Sequence, residues 1–356
     1  MDYREILKRR QGLYRGLHLA LRAAVPFYAA AVYVRNFLYD CGIKKSRSLG
    51  VPVVSIGNLT MGGTGKTPAA AELLRRALAR GLKPALLSRG YRAGKFRLGK
   101  ETSNPYLRQN DEAAELAIEF PLVPHYLAPD RTAAGRALLR DFPETDLIIL
   151  DDGFQHRRLH RDRNILLLDA LDPLGGGLFP AGFAREPLAA VRRADAVILT
   201  RADLVDEQQR RRIERKVRKI APDILWGEAA MKPASLLRRT QSGWISAPFS
   251  LLKEEPGQFW IPFCGIGNPD GFYRMLEAEG VRTVPGLSLP DHTPPDMETL
   301  RKLAAAAPDA AGFVATVKDL VKLPFGEIGE KPIWGIKIEL NFLKEESFFN
   351  KALRWE

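Results

Sequence analysis

The hydrophobic pattern of the chain is dominated by short apolar runs in which polar and apolar residues do not alternate. Strands that are apolar on both faces are typical of a parallel sheet covered by helices. An amphipathic segment at residues 68–80 follows the first run and is predicted to be a helix. The runs that we predict to be strands lie at residues 51–57, 83–88, 145–150, 164–169 and 196–200.

The pattern changes after residue 206. A basic helix is predicted at 207–220, whereas residues 231–260 hold no long period and are interpreted as a connection between domains. A new strand at 260–264 leads to Asn268, which is predicted to cap a helix with Pro269 at its first position. This unit opens a second, smaller α/β domain.

The N-terminal segment has a long apolar stretch at residues 17–39 that Arg22 and Arg35 interrupt. Only twelve uncharged residues separate these arginines, and a spanning helix usually needs roughly 20 apolar residues. Basic residues precede the stretch, and its Tyr and Phe residues are typical of headgroup depth. We predict a basic, amphipathic, membrane-associated helix within residues 1–45; a helix packed on the protein's own core is the alternative.

Charge and cysteine content indicate which surface the protein binds and which redox compartment it occupies. The net charge is +12, and the first 50 residues hold ten Lys and Arg against three Asp and Glu. This distribution favours an anionic surface near the N-terminus, either phospholipid or nucleic acid. Cys41 and Cys264 are far apart and fit no metal-ligand spacing, which indicates a reducing compartment.

A glycine-rich loop between the first predicted strand and helix ends as a Walker A motif does. Glycines let backbone amides surround phosphate oxygens, and the following helix N-terminus adds partial positive charge. Lys66 is expected to reach the β- and γ-phosphates, and Thr67 to bind Mg²⁺. The predicted nucleotide-binding residues are Thr60, Met61, Gly62, Gly63, Thr64, Gly65, Lys66 and Thr67.

Asp151 and Asp152 follow the apolar run at 145–150, which is the Walker B arrangement. Carboxylates at the carboxyl edge of a parallel sheet are suited to hold Mg²⁺ near the phosphates. The two motifs predict a P-loop NTPase-type parallel-sheet domain (α/β/α) at residues 46–228. Residues 229–356 are predicted to form the linker and the smaller α/β domain.

Two other classes of ATPase share parts of this pattern. Membrane-recruited switch ATPases also carry a Gly-Gly-x-Gly-Lys-Thr loop, but they have a lysine where this chain has Met61. A basic nucleic-acid-binding ATPase would be expected to show a recognised nucleic-acid fold or an interleaved aromatic and basic stripe. The first class remains the alternative, acting through partner binding.

Several motifs together resemble the tetraacyldisaccharide 4'-kinase family of lipid A biosynthesis. Gly57-Asn58-Leu59-Thr60 precedes the phosphate loop as it does in that family. Further motifs follow in the family's order, from residues 88 to 269. They are Ser88-Arg89-Gly90-Tyr91, Asp151-Asp152-Gly153-Phe154-Gln155-His156, Pro180-Ala181-Gly182, Arg185-Glu186-Pro187 and Gly265-Ile266-Gly267-Asn268-Pro269.

The resemblance implies transfer of the γ-phosphate of ATP to the 4'-hydroxyl of a tetraacylated glucosamine disaccharide 1-phosphate, forming lipid IVA. It implies ATP and Mg²⁺ as requirements and an acceptor cleft between two α/β/α domains. With the basic N-terminal segment, it leads us to expect the cytoplasmic face of the inner membrane and its anionic surface. Neither nucleic acid nor an obligate protein partner is expected.

The resemblance also implies a catalytic pair, in which an aspartate and a histidine act as the acid–base dyad. Asp111 and His292 stand at the matching positions, although the motif around Asp111 lacks the family's usual glycine and proline. From the residues alone, Asp111 could equally cap a helix and His292 could lie in a turn. Arg185, Glu186 and Asn58 are further candidates for contact with the substrates.

Overall fold

The computed structural model describes residues 13–90, 110–255, 257–290, 293–344 and 347–355. The chain forms two compact units. The first contains the chain up to Gly90, Val123–Met231 and the segment from Leu340 onwards. The second contains the segment that ends at Leu122 together with Lys232–Glu339. Each unit therefore draws on separate stretches of sequence.

Strands and helices alternate along much of the described chain, as in other α/β folds. The strands are β1 (Val53–Asn58), β2 (Pro84–Ser88), β3 (His125–Leu127), β4 (Leu147–Asp151), β5 (Arg163–Asp169), β6 (Ala196–Thr200), β7 (Leu225–Thr240), β8 (Gly243–Pro248), β9 (Trp260–Cys264), β10 (Leu287–Ser288), β11 (Gly312–Thr316), β12 (Glu327–Ile328) and β13 (Lys331–Lys344). The helices are α1 (Leu13–Asp40), α2 (Lys66–Ala79), α3 (Asp111–Glu119), α4 (Arg131–Asp141), α5 (Glu207–Arg218), α6 (Pro269–Ala278), α7 (Met297–Ala306), α8 (Val317–Leu320) and α9 (Phe348–Leu353).

Parallel strands form the sheet of the first unit, in the order β3-β2-β4-β1-β5-β6-β7. Strands β1, β2, β4 and β6 are buried along their whole length, as their unbroken apolar sequences predicted. The carboxyl ends of β1 and β4 are adjacent, because Ile56 pairs with Asp151. The sheet thus brings the phosphate loop and the paired aspartates to one edge.

The second unit has a smaller sheet of parallel strands in the order β10-β9-β11-β13. The later residues of β7 pair with β8 in an antiparallel hairpin within the same unit. Asn268 caps α6 by accepting a hydrogen bond from the Gly271 amide at 3.2 Å, and Pro269 opens the helix. This confirms the predicted helix start.

The structure differs from the sequence-based expectations at particular elements. β3 has three residues and was not predicted. Within residues 231–260, which were interpreted as a connection between domains, the later part of β7 pairs with β8 in a hairpin. In β7 the early residues are buried, but buried and exposed residues mix further along the strand. A strand that changes environment midway has no single period to detect.

The units also differ in extent from the predicted ranges 46–228 and 229–356. Helix α3 belongs to the second unit, where Ala114 packs against Val317 and Val321. Helix α9 belongs to the first unit, where the Phe348 ring lies so close to Gly227 that a Cβ there would be 2.6 Å from it. Small residues that admit these helices give no distinct signal in the sequence.

One face of helix α1 contacts the rest of the first unit. The Tyr28 hydroxyl donates to the Arg185 carbonyl at 2.9 Å. Arg35 forms an ion pair with Glu186 at 3.1 Å, and the Asn36 amide donates to the same carboxylate at 2.8 Å. Glu186 is fully buried, so these contacts fix the helix firmly.

The opposite face of α1 is apolar and exposed. Leu19, Phe27, Val34 and Phe37 fall within one side of the helix at 100° per residue, and Phe27 is 80% exposed. Among the described residues, Gly16–Asp40 is the one helix long and apolar enough to cross a membrane. One face therefore binds the protein while the other presents apolar side chains to the surroundings.

Gly57 in β1 permits a close approach that the site depends on. A Cβ at this position would lie 2.8 Å from the Phe154 amide nitrogen and 2.6 Å from the Phe154 Cβ. We expect Gly57→Ala to lower the free energy of unfolding by about 1–3 kcal/mol, because the loop after β4 must shift. Urea unfolding measures this. Gly63→Ala is the control, since a Cβ there meets no atom within 4 Å; equal losses in both variants would contradict the packing argument.

Candidate active site

The phosphate loop joins the buried end of β1 to the start of α2. Gly62 and Gly65 have φ angles of 124° and 89°, which favour glycine and let the chain turn sharply. Gly65 precedes Lys66, and no side chain caps the first turn of the helix. Uncapped amides and the helix dipole at this point fit phosphate oxygens. The loop thus has a backbone conformation that is suited to surround a phosphate.

Residues outside the Walker motif fix the shape of this loop. The Thr200 hydroxyl donates to the Thr64 carbonyl at 3.0 Å, and Arg201 donates to the Gly63 carbonyl at 2.8 Å. The Asn58 amide donates to the Thr64 hydroxyl at 2.9 Å. Asn58 is fully buried and supports the loop, and its contact with a substrate stays a prediction.

The first two residues of the predicted motif pair with a distant segment. Thr60 forms a β-bridge with Ala184, and the Met61 amide donates to the Phe183 carbonyl at 2.7 Å. The Arg185 amide continues this pairing to the Leu59 carbonyl at 2.7 Å. The segment that ends at Arg185 is therefore fixed alongside the phosphate loop.

Asp152 connects the phosphate loop to the neighbouring elements. Its carboxylate lies 3.6 Å from the Lys66 ammonium and accepts hydrogen bonds from Arg185 at 2.9 Å on both oxygens. Burial acts to raise the pKa of Asp152, but Lys66 and Arg185 outweigh it and hold that pKa well below its usual range. The carboxylate is therefore ionised at every physiological pH.

A third cationic group, Arg131, lies near this carboxylate. Burial lowers the pKa of Arg131 to about 10, and the charge of Asp152 opposes that change. His156 is 3.4 Å from the same guanidinium, and burial together with Arg131 lowers the pKa of His156 to about 4. His156 is therefore neutral at pH 7, so Lys66, Arg185 and Arg131 supply the positive charge around Asp152.

Glu186 holds α1 in place. It is fully buried and paired with Arg35 and with Arg193, at 3.1 and 2.7 Å. Its contact with a substrate stays a prediction. Arg185 stays a candidate, because its guanidinium lies at the Lys66–Asp152 pair.

The predicted metal ligands supply oxygen atoms of the kind that Mg²⁺ prefers. Thr67 is the second residue of α2, and Asp151 ends β4 beside Asp152. In the described ranges, no group of three or more His, Cys, Asp or Glu side chains could hold a metal. A divalent ion would therefore need phosphate oxygens as additional ligands, as Mg²⁺ in P-loop sites does.

Asp111 lies in the second unit, in a separate cluster of charged residues. It is the first residue of α3, after Asn110, whose side chain accepts a hydrogen bond from the Ala113 amide at 2.8 Å. Its carboxylate is 3.7 Å from the ammonium of Lys322, which is itself 2.9 Å from Asp319. His292 lies outside the described residues.

Several of these groups escaped the sequence reasoning. Thr200 ends a predicted strand and Arg201 follows it, so their position at the carboxyl edge of the sheet was a usable signal. Arg131 and Lys322 carried no such signal. Single basic residues far from any motif look like ordinary surface residues until the fold buries them.

A family model described as tetraacyldisaccharide-1-P 4'-kinase matches residues 17–355. The tetraacyldisaccharide 4'-kinase of Geobacter metallireducens is 38% identical over 320 residues, which are 86% of this chain and 89% of that protein. The enzyme of the same name from Elusimicrobium minutum is 34% identical over 92% of this chain and 88% of its own length. The crystal structure of LpxK from Aquifex aeolicus in complex with ATP aligns with a TM-score of 0.70 at 30% identity, covering 95% of this chain and 99% of the other.

The cations around Asp152 predict a pH-dependent contribution to stability. Folded Asp152 keeps its charge to lower pH than in the unfolded chain, so the unfolded chain takes up its proton first on acidification. This contribution is present above the unfolded pKa of about 4 and is lost as pH falls below it. We expect the gap in unfolding free energy between wild type and Asp152→Asn to narrow below about pH 5.

Urea unfolding at pH 7, 5 and 3.5 measures that gap. Asp309→Asn is the matched control, because Asp309 is exposed and should give a small difference at each pH. A gap for Asp152→Asn that stays constant down to pH 3.5 would contradict the assignment of the ion pairs.

Proposed function

The chain belongs to the tetraacyldisaccharide-1-P 4'-kinase family, and we propose that it transfers the γ-phosphate of ATP to the 4'-hydroxyl of a tetraacylated glucosamine disaccharide 1-phosphate. The product would be lipid IVA, an intermediate of lipid A biosynthesis. The observation that carries the proposal is the uncapped start of α2, with Lys66 and Arg185 joined through Asp152 beside it.

The ATP triphosphate would be held by residues 60–67. The amides of the loop and the start of α2 suit the phosphate oxygens, and Lys66 is placed to neutralise charge on the β- and γ-phosphates. Arg185 would add a second cation at the same point. Phosphoryl transfer depends mainly on positioning and on such electrostatic stabilisation.

Thr67, Asp151 and Asp152 would hold Mg²⁺ in the nucleotide complex. Their hydroxyl and carboxylate oxygens fit the preference of this ion for hard ligands. When bound, Mg²⁺ would neutralise charge on the phosphates and help to fix their orientation.

The acceptor hydroxyl must lose a proton as it attacks the γ-phosphorus. We propose that Asp111 accepts this proton, with His292 as its partner in the dyad. A new bond forms from the sugar oxygen to phosphorus, the bond to the β–γ bridging oxygen breaks, and ADP leaves with that electron pair. Asp152 is a poor alternative base, because Lys66 and Arg185 hold it as an anion.

The lipid acceptor and the exposed face of α1 point to work at a membrane surface. Tyr28, Arg35 and Asn36 fix the opposite face of this helix to the protein, so α1 would lie in the interface with Leu19, Phe27 and Phe37 among the acyl chains. We propose the cytoplasmic face of the inner membrane, where ATP is available, as the location.

The activity predicts loss of lipid phosphorylation in Lys66→Ala. Purified protein with γ-labelled ATP, Mg²⁺ and the disaccharide lipid should yield labelled lipid, and the variant should be slower by about 100-fold or more, because it lacks the cation at the β- and γ-phosphates. Lys83→Ala is the matched control, since Lys83 is exposed in the same unit and should leave the rate unchanged.

The same assay tests the alternative, a membrane-recruited switch ATPase. Label released only as inorganic phosphate, with vesicles stimulating the release, would reject the kinase in favour of that class. Labelled lipid formed equally by wild type and Lys66→Ala would reject the phosphate-site assignment.

Exposed apolar residues of α1 should govern binding to lipid. We expect the double variant Phe27→Ser/Phe37→Ser to lower co-sedimentation with anionic vesicles about 10-fold or more, since each buried ring contributes about 1.5–3 kcal/mol. Higher salt should weaken binding further, because it screens the basic residues. Leu122→Ser is the control, since Leu122 is 94% exposed but far from α1 in sequence. Equal binding by both variants would place the membrane contact elsewhere.

A further inference from the structure

Lys322 is a buried lysine in the second unit that no part of the proposed mechanism uses. Its side chain is 1% exposed, and it directly follows the short helix α8 and Val321. Lysines are almost never buried to this degree unless they are paired with carboxylates. The two carboxylates here are Asp319, at 2.9 Å, and Asp111, at 3.7 Å.

Asp319 is fixed in place before it contacts Lys322. Its side chain is fully buried, and the Thr316 hydroxyl donates to its Oδ2 at 2.7 Å while accepting from its amide at 3.3 Å. A Cβ at Gly265 would lie 3.1 Å from Asp319 Oδ1, so glycine there leaves space for the carboxylate. Asp319 therefore holds the Lys322 ammonium at a defined point.

Asp111 meets this ammonium with one oxygen. Its other oxygen, Oδ1, accepts a hydrogen bond from the Glu112 amide at 3.2 Å, in the first turn of α3. The helix N-terminus and the lysine both favour the charged carboxylate. At 3.7 Å the ammonium is beyond hydrogen-bond distance from Asp111 and acts through its charge.

We propose that Lys322, held by Asp319, is a positioning residue that keeps Asp111 ionised and oriented to accept the proton of the acceptor hydroxyl. This inference rests on the proposed function, in which Asp111 is the base. It adds two groups to the site, neither of which touches the reacting atoms. Their effect would reach the reaction through the Asp111 carboxylate.

Other titratable groups surround the cluster and bear on its pH dependence. Lys318 pairs with Glu112 at 2.7 Å, which joins α3 to α8 beside the Lys322 contact. Burial raises the pKa of Glu115 to about 7, and the Lys318 charge opposes it. Burial raises the pKa of the Cys264 thiol to about 12, so that thiol is neutral near pH 7. Glu115 is therefore the group most able to titrate alongside Asp111.

Lys322→Met tests the proposal through the pH profile of kcat at saturating ATP and lipid. Without the positive charge, Asp111 binds its proton more readily, so the acidic limb should move up by about 1–2 pH units. The rate below that limb should fall about 10-fold for each unit, with KM for ATP unchanged. Lys322→Arg should restore the limb. Asp319→Asn should move it the opposite way, to lower pH, because the Lys322 charge would no longer be shared with a second carboxylate.

Matched variants separate this effect from its neighbours. Lys318→Met removes a lysine from the same junction, but its contact is with Glu112, so a smaller shift is expected. Glu115→Gln removes the neighbouring titration, and the effect of Lys322→Met should persist in that background. In an Asp111→Asn background, Lys322→Met should cost little more, because the two residues act as a unit.

The outcomes distinguish a failure of the proposed function from a failure of the role proposed for Lys322. A wild type that labels no lipid would overturn the proposed function. An active wild type, with a folded Lys322→Met variant whose acidic limb is unmoved, would overturn the role of Lys322 alone. If Lys322→Met does not fold, Asp319→Asn and Lys322→Arg decide: a wild-type limb in Asp319→Asn rejects the proposal, and a downward shift there with a normal limb in Lys322→Arg supports it.

Discussion

The ionised carboxylate of Asp152 is the constraint on which the phosphate site depends. A partly buried anion is costly unless cations compensate it, and here Lys66 and Arg185 do so from two different segments. The phosphate loop, the loop after β4 and the segment at Arg185 are thereby held in one arrangement. This arrangement requires a glycine at position 57, because a side chain there would collide with Phe154 in the loop after β4.

Arg185 and Glu186 extend this arrangement to helix α1. The Arg185 side chain binds Asp152, and the Arg185 carbonyl accepts a hydrogen bond from the Tyr28 hydroxyl. The buried Glu186 carboxylate binds Arg35. Two neighbouring residues thus connect the phosphate site and α1 within the same unit. A lipid kinase needs both ATP from solution and an acceptor from a membrane, and this connection fixes the nucleotide site relative to the helix that would lie in the lipid.

How much of the molecule the sequence could predict depended on whether a property was local. The buried strands and the phosphate loop were predictable, because apolar runs and glycine spacing are local consequences of a parallel sheet and a bound phosphate. The placement of α3 in the second unit and of α9 in the first, and the contacts of Glu186 and Lys322, were not predictable. Each of these depends on partners distant in sequence, such as Arg35 for Glu186 and Asp111 for Lys322.

The charge environments of the two aspartates also separate their roles. Lys66 and Arg185 both contact the Asp152 carboxylate. These cations stabilise the ionised form of Asp152, which suits a group that positions Lys66 but makes Asp152 a weak base. The Lys322 ammonium lies 3.7 Å from Asp111 and is shared with Asp319. A shared cation compensates each carboxylate only in part. Two cations in contact with Asp152 therefore suit a fixed anion, whereas the divided charge of Lys322 is consistent with the proton-accepting role proposed for Asp111.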